Sequence, residues 1–210
     1  MSIRTALVAL VAVCAGVTLT GCMTGERPTL VSAPLNEVTD PSALAVLERL
    51  DQADDAVFTA TYEITPSTTG VPTEATVSVD EGRRRIEIGP VRYVVDGSTA
   101  ETCVTTTGEC VDFIDNARVS DLNITDEFWG DAFASRLRLD ASRRVGFTSG
   151  RRLEIAGEPS ACVDIPLPGV QSETANVTYC ALDRGPLARY FGADVSIELT
   201  SFVLGDDPTV

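Results

Sequence analysis

The sequence predicts an α+β domain built mainly of antiparallel β-structure, with two helices added. Three observations lead there. Apolar and polar residues alternate over much of the chain beyond Thr39, as in strands with one buried face. Turn residues (Asp-Glu-Gly, Gly-Pro, Asp-Gly) interrupt that alternation at short intervals, so successive strands are joined by hairpins. Only two stretches switch to helical spacing. The chain of 210 residues is long enough for one domain with a substantial core and short for two, and one domain over residues 39–210 is expected.

The first element is a helix. Asp40 supplies an N-cap side chain and Pro41 fits the first helical position. Leu44, Leu47 and Leu50 recur on one face with Ala43 and Val46 beside them, and the acidic stretch Asp51–Asp55 ends the pattern. The period then becomes two: in VFTATYEI, Phe58, Ala60, Tyr62 and Ile64 oppose Thr59, Thr61 and Glu63. Ala75, Val77 and Val79 follow, Asp80-Glu81-Gly82 turns the chain, and Ile86 and Ile88 lie opposite Arg83, Arg85 and Glu87. Val91, Tyr93 and Val95 come after Gly89-Pro90, with Asp96-Gly97 as the next turn. A second helix is placed from Asp126 and Glu127, whose charge suits a helix start, to Arg136 and Arg138 near its end. Phe128, Trp129, Ala132, Phe133 and Leu137 form its apolar stripe, which covers the sheet or lines a cavity as a lid. Strands resume with Leu153 and Ile155, the turn AGEPS, and Cys162 to Asp164. NVTYCAL, LARYF and VSIELTSFVL complete the set; in the last, Val195, Ile197 and Leu199 alternate with Ser196, Glu198 and Thr200. Nine or ten strands are expected.

Composition restricts the chemistry. There are 31 acidic residues against 16 basic ones, every basic residue is arginine, histidine is absent, and the net charge is −15. Such a charge repels phosphate backbones, so no nucleic-acid partner is expected. Without histidine there is no Ser-His-Asp triad, Cys-His pair or His-based zinc site. Without lysine there is no Ser-Lys or Schiff-base catalysis and no phosphate-loop lysine. The acidic residues form no catalytic motif. The sequence therefore reads as non-enzymatic, with no metal and no cofactor.

The amino-terminal stretch MSIRTALVALVAVCAGVTLTGC has the layout of an export signal: Arg4 in a positive region, then an uncharged apolar run too short to span a bilayer. It ends in Leu19-Thr20-Gly21-Cys22, which resembles the lipobox of bacterial lipoproteins. That resemblance implies that residues 1–21 are removed as a signal peptide and that Cys22 carries the lipid, enough acyl chain for stable anchoring. The protein would then sit lipid-anchored on the extracytoplasmic face of the cell membrane. Residues 22–38, with two prolines and no sustained period, read as a lipidated tether. Cys14 leaves with the signal.

Export makes disulfides the default for Cys103, Cys110, Cys162 and Cys180. Of the three connectivities available to four cysteines, strand geometry favours 103–110 and 162–180. A hairpin centred between Thr106 and Thr107 sets the first pair opposite each other. The second pair is symmetric about Gln171, in a register that also pairs Val163 with Tyr179 and Ile165 with Val177. DLNITDE resembles a calcium loop at alternate positions but lacks the glycine and glutamate such a loop needs. The two Asn-X-Thr sequons at Asn123 and Asn176 carry no weight in a bacterium. The arginine clusters 83–85, 143–144 and 151–152 read as solvent-facing charges paired with carboxylates, with contact to anionic headgroups beneath the tether as the alternative.

Taken in order, LTGC, LERLDQADDAVFTATYEI, AGEPSACVDI, VTYCALDRGPLARYFG and VSIELTSF resemble the LolA-like envelope lipoproteins, in style the LppX/LprG/LprA group of actinobacteria. The resemblance spans residues 40–204. It implies an incomplete, half-open antiparallel β-barrel with two covering helices, and a lipid or other hydrophobic ligand in the concave face. Phe58, Tyr62, Ile64, Val77, Ile86, Val95, Val195, Ile197 and Leu199 would line that face, with Trp129 and Phe133 from the covering helix. The two disulfides depart from the group's pattern and imply the alternative: a stiffer, filled barrel acting as an interaction, sensor or accessory lipoprotein with an unidentified protein partner.

Overall fold

The computed structural model describes residues 38–168 and 175–205. The signal segment, Cys22 and the tether up to residue 37 lie outside the described residues. Val38, placed by the sequence at the end of the tether, is already buried against the core.

Helix α1 spans Pro41–Leu50. The Asp40 carboxylate accepts the backbone N–H groups of Ser42 and Ala43 at 3.0 Å each, the capping that its sequence position implies. Ala43, Val46, Leu47 and Leu50 are its buried face. Eleven strands follow: β1 (Phe58–Pro66), β2 (Thr73–Asp80), β3 (Arg83–Ile88), β4 (Val91–Asp96), β5 (Thr99–Val104), β6 (Glu109–Val111), β7 (Ser149–Ile155), β8 (Glu158–Leu167), β9 (Ala175–Leu182), β10 (Leu187–Phe191) and β11 (Val195–Leu204). All form one antiparallel sheet in the order β6-β5-β4-β3-β2-β1-β11-β10-β9-β8-β7. The half-open, helix-covered sheet expected from the sequence is the architecture observed. The sheet does not close, because β6 and β7 are opposite edges. Hairpins join every pair of consecutive strands except β6 and β7, whose connection runs through short 3-10 turns and helix α2 (Asp131–Arg143).

Three details differ from the sequence reading. The strand count is higher, partly because β6 is only three residues long. Helix α2 starts at Asp131 rather than at Asp126. Asp126 is instead clamped in a turn: its carboxylate accepts from the Asn116 side-chain amide at 2.8 Å, and the Asn116 oxygen accepts its backbone N–H at 2.8 Å. Phe128 and Trp129 thus enter the core from a turn, and the Trp129 carbonyl accepts the Leu187 N–H at 2.7 Å, tying this cover to β10. Third, β11 carries a bulge. Thr61 faces Ser201 but Tyr62 faces Leu199, leaving Thr200 as the extra residue. The alternation changes phase there, and Phe202 turns inward against Phe58 at 5.6 Å.

Both disulfides form as expected, 103–110 between β5 and β6 and 162–180 between β8 and β9. Each joins directly opposed residues. Among the described residues, no helix is long and apolar enough to cross a membrane.

Candidate functional site

The face of the sheet beneath the helical cover is where the resemblance to LolA-like lipoproteins would put a ligand. Phe58, Tyr62, Ile64, Val77, Ile86, Val195, Ile197, Leu199, Trp129 and Phe133 all lie in the buried core, none more than 3% exposed. Val95 differs: it pairs with Arg84 and Ala100 and is only half-buried.

The rings in this layer fill it by contact with one another. Phe58 meets Trp129 edge-on at 5.6 Å, and Tyr62 meets Phe128 edge-on at 5.1 Å. Phe133 packs against Tyr190 at 4.7 Å, and Tyr190 against Tyr179 at 4.9 Å. The sequence reading names neither Tyr179 nor Tyr190 for this face. Both lie in segments that the sequence marks as strands, NVTYCAL and LARYF, and the 162–180 register already sets Tyr179 opposite Val163.

Polar groups enter the layer from both halves of the sheet. Tyr179 donates its hydroxyl to the Asp140 carboxylate at 2.5 Å, with both residues buried. Burial and the nearby Asp140 charge push the Tyr179 phenol well above its ordinary range. Arg136 lies over the Tyr190 ring at 4.6 Å and donates twice to Asp194, at 2.9 and 2.6 Å. Burial alone would raise the Asp194 carboxyl; the Arg136 hydrogen bonds and charge outweigh it and hold the group below the usual carboxylate range. Tyr93 donates to the Asp115 carbonyl at 3.3 Å, and burial together with the neighbouring carboxylates pushes it up to about 12. Among the described residues, the Tyr62 and Tyr190 hydroxyls and the Trp129 indole N–H are buried without a partner.

Among the described residues, three surface depressions lie around this core. One of about 300 Å³ lies between α1, β7 and β8 and is lined by Ala45, Arg49, Arg151, Arg152 and Cys162 among others. Its arginines are held by carboxylates: Arg49 and Arg152 on Asp183, and Arg151 on Asp164. A second, about 230 Å³, sits at the Thr200 bulge beside Tyr62, Glu63 and Glu74. The third, about 380 Å³, is a largely apolar groove among Leu167, Val177 and Phe191. A cluster with metal-ligand spacing, Glu101 with Cys103 and Cys110, has both sulfurs committed to the disulfide.

No protein-family model and no curated protein matches the chain. Among solved structures, MucB is similar at 13% identity and a TM-score of 0.41, over 81% of this chain and 61% of that one. The MucA/MucB complex of Pseudomonas aeruginosa gives 17% identity and a TM-score of 0.41, over 80% of this chain and 58% of that one. An uncharacterized conserved protein from Thermus thermophilus gives 11% identity and a TM-score of 0.44, over 79% of this chain and 88% of that one. The chain thus spans about three-fifths of the MucB chains it matches, and identities this low leave function unassigned.

Proposed function

We propose that this chain is a non-enzymatic bacterial envelope lipoprotein of LolA-like build, exported, acylated on Cys22 and held at the extracytoplasmic face of the membrane. Its sheet is a filled scaffold, and its surface does the binding. One observation carries the choice of a filled scaffold over a lipid carrier. A cavity that admits an acyl chain leaves its lining open to water-sized contact, whereas ten of the eleven lining candidates are at most 3% exposed. Neighbouring rings occupy the space a ligand would need.

A second reading is supported by the unpartnered Tyr62, Trp129 and Tyr190 polar atoms. Each leaves about 1–3 kcal/mol of hydrogen bonding unmet, which water or a ligand would supply if the cover lifted from the sheet. Native mass spectrometry of the full chain, released from membranes with its disulfides intact, separates the two. A filled scaffold gives the protein mass plus its covalent anchor. Additional non-covalent acyl lipid, lost when Phe133→Trp enlarges the ring that the covering helix turns toward the sheet, would establish the carrier reading instead.

A further inference from the structure

The loop that leads from α2 into β7 does not belong to the core, yet it is held in place. Phe147 at its tip is 99% exposed and Val145 beside it 40% exposed. One exposed apolar side chain is ordinary, but the loop that carries this one is itself held in place. The loop is fixed at three points. The Val145 N–H donates to the Pro166 carbonyl at 2.8 Å. Thr148 donates to the free oxygen of the Asp40 cap at 2.5 Å. Gly150 lies so close to α1 that an added Cβ would sit 2.8 Å from the Ser42 Cβ. Phe147 is therefore displayed by a braced loop.

The loop's own residues carry charge opposite in sign to that of the protein, with the Asp40 carboxylate standing beside Arg144 and Thr148. Residues 141–153 contain Arg143, Arg144, Arg151 and Arg152 and no carboxylate, in a chain of net charge −15. Arg151 and Arg152 are engaged by Asp164 and Asp183. Arg143 is exposed, Arg144 donates to the Ala141 carbonyl at 2.8 Å, and among the described residues neither is in an ion pair. The loop also touches the domain's point of entry, because Asp40 lies two residues beyond Val38, where the segment from Cys22 arrives.

We propose that residues 143–148 form a membrane-contact site for anionic phospholipid, with Phe147 entering the interface and Arg143 and Arg144 meeting headgroup phosphates. An aromatic ring flanked by arginines suits the boundary between headgroups and acyl chains, and the cations favour an anionic leaflet. The site deepens the lipoprotein reading, on which its orientation toward the membrane rests. The tether alone, extended to roughly 3.5 Å per residue, would let the domain stand well clear of the bilayer. Loop contact brings it down in one orientation and turns the opposite surface toward partners.

The test uses the full chain carrying Phe147→Trp in two sets of vesicles, phosphatidylcholine alone and phosphatidylcholine with about one-third phosphatidylglycerol, each containing brominated lipid. Trp129 is buried and gives a constant background. The introduced indole is expected to be quenched about threefold more in the anionic vesicles, and Arg143→Gln with Arg144→Gln to abolish that difference. Equal emission in both vesicles and in buffer would overturn the site. A blue-shifted indole in buffer without vesicles would overturn it in favour of a protein occupant. Acylation of Cys22, read from the mass of the same preparation, reports the tether separately: an acylated chain with an unquenched indole rejects the loop alone, and an unacylated chain with a quenched indole rejects the tether alone.

Discussion

At the scale of single residues, the buried Tyr179–Asp140 pair and the Arg136–Asp194 pair set the polar limits of an otherwise apolar layer. Tyr179→Phe removes the donor that the sheet aims at the Asp140 carboxylate, at 2.5 Å. It is expected to lower stability by about 1–3 kcal/mol, because a buried acceptor then loses its partner; urea unfolding measures this, and an unchanged midpoint would show that water replaces the phenol at no cost. Asp194 is a different case. Its carboxyl is held below the usual range in the folded protein, so its contribution is complete above the unfolded carboxyl value of about 4 and is lost as pH falls through the lower folded value. Asp194→Asn should therefore melt at a lower temperature than the parent at neutral pH, with the gap closing in acid; a gap that stays constant down to strongly acidic pH would contradict the pairing. The effect is modest, since the Asp194 side chain is 36% exposed and water screens the pair. Tyr179 is legible from its inward place in NVTYCAL. Asp140 is not: a carboxylate within an arginine-rich helix looks solvated until the packing of that helix onto β8 and β9 is known.

At the scale of elements, α1 shows how far local chemistry reaches and α2 shows where it stops. The start of α1 is readable because its cap is local: Asp40 holds the N–H groups two and three residues ahead. The start of α2 is not, because Asp126-Glu127 resembles a helix start by composition, while the clamp from Asn116 comes from ten residues away and leaves no periodic trace. The contact between α1 and β7 is equally silent. It depends on Gly150, where a Cβ would overlap Ser42 Oγ and lie 2.8 Å from the Ser42 Cβ. The hydroxyl can rotate away, but the Cβ cannot. Gly150→Ala is expected to cost about 1–3 kcal/mol, and Ser42→Gly on that background should recover part of the loss in thermal melting. A silent Gly150→Ala would mean that the edge strand shifts freely, and the bracing of Phe147 would then be looser than the geometry indicates.

At the scale of the whole molecule, the two disulfides are not equivalent. Cys162–Cys180 ties two buried strands across 18 residues, and Cys103–Cys110 closes an edge hairpin across 7. Loop entropy assigns about 3 kcal/mol to the former and about 2 kcal/mol to the latter, and the inner pair also packs in the core. Denaturation midpoints of Cys162→Ala/Cys180→Ala and Cys103→Ala/Cys110→Ala should fall in that order, the inner pair losing more, and the reverse order would assign more of the stability to the edge than to the centre. Both pairings are readable because each lies within one hairpin. The central pairing of the sheet is not, because β1 and β11 bring together residues such as Thr65 and Ser196, 131 positions apart, and no turn announces it. That seam also governs the order in which the protein can assemble. In a chain delivered from its amino end, β1 to β6 emerge as one ribbon whose inner border is a bare row of N–H and C=O groups, and the strand that covers that border arrives last. Until then the future middle of the sheet is its most adhesive edge, so the interval between the arrival of the first strand and the last is when mispairing with another copy competes most strongly with folding.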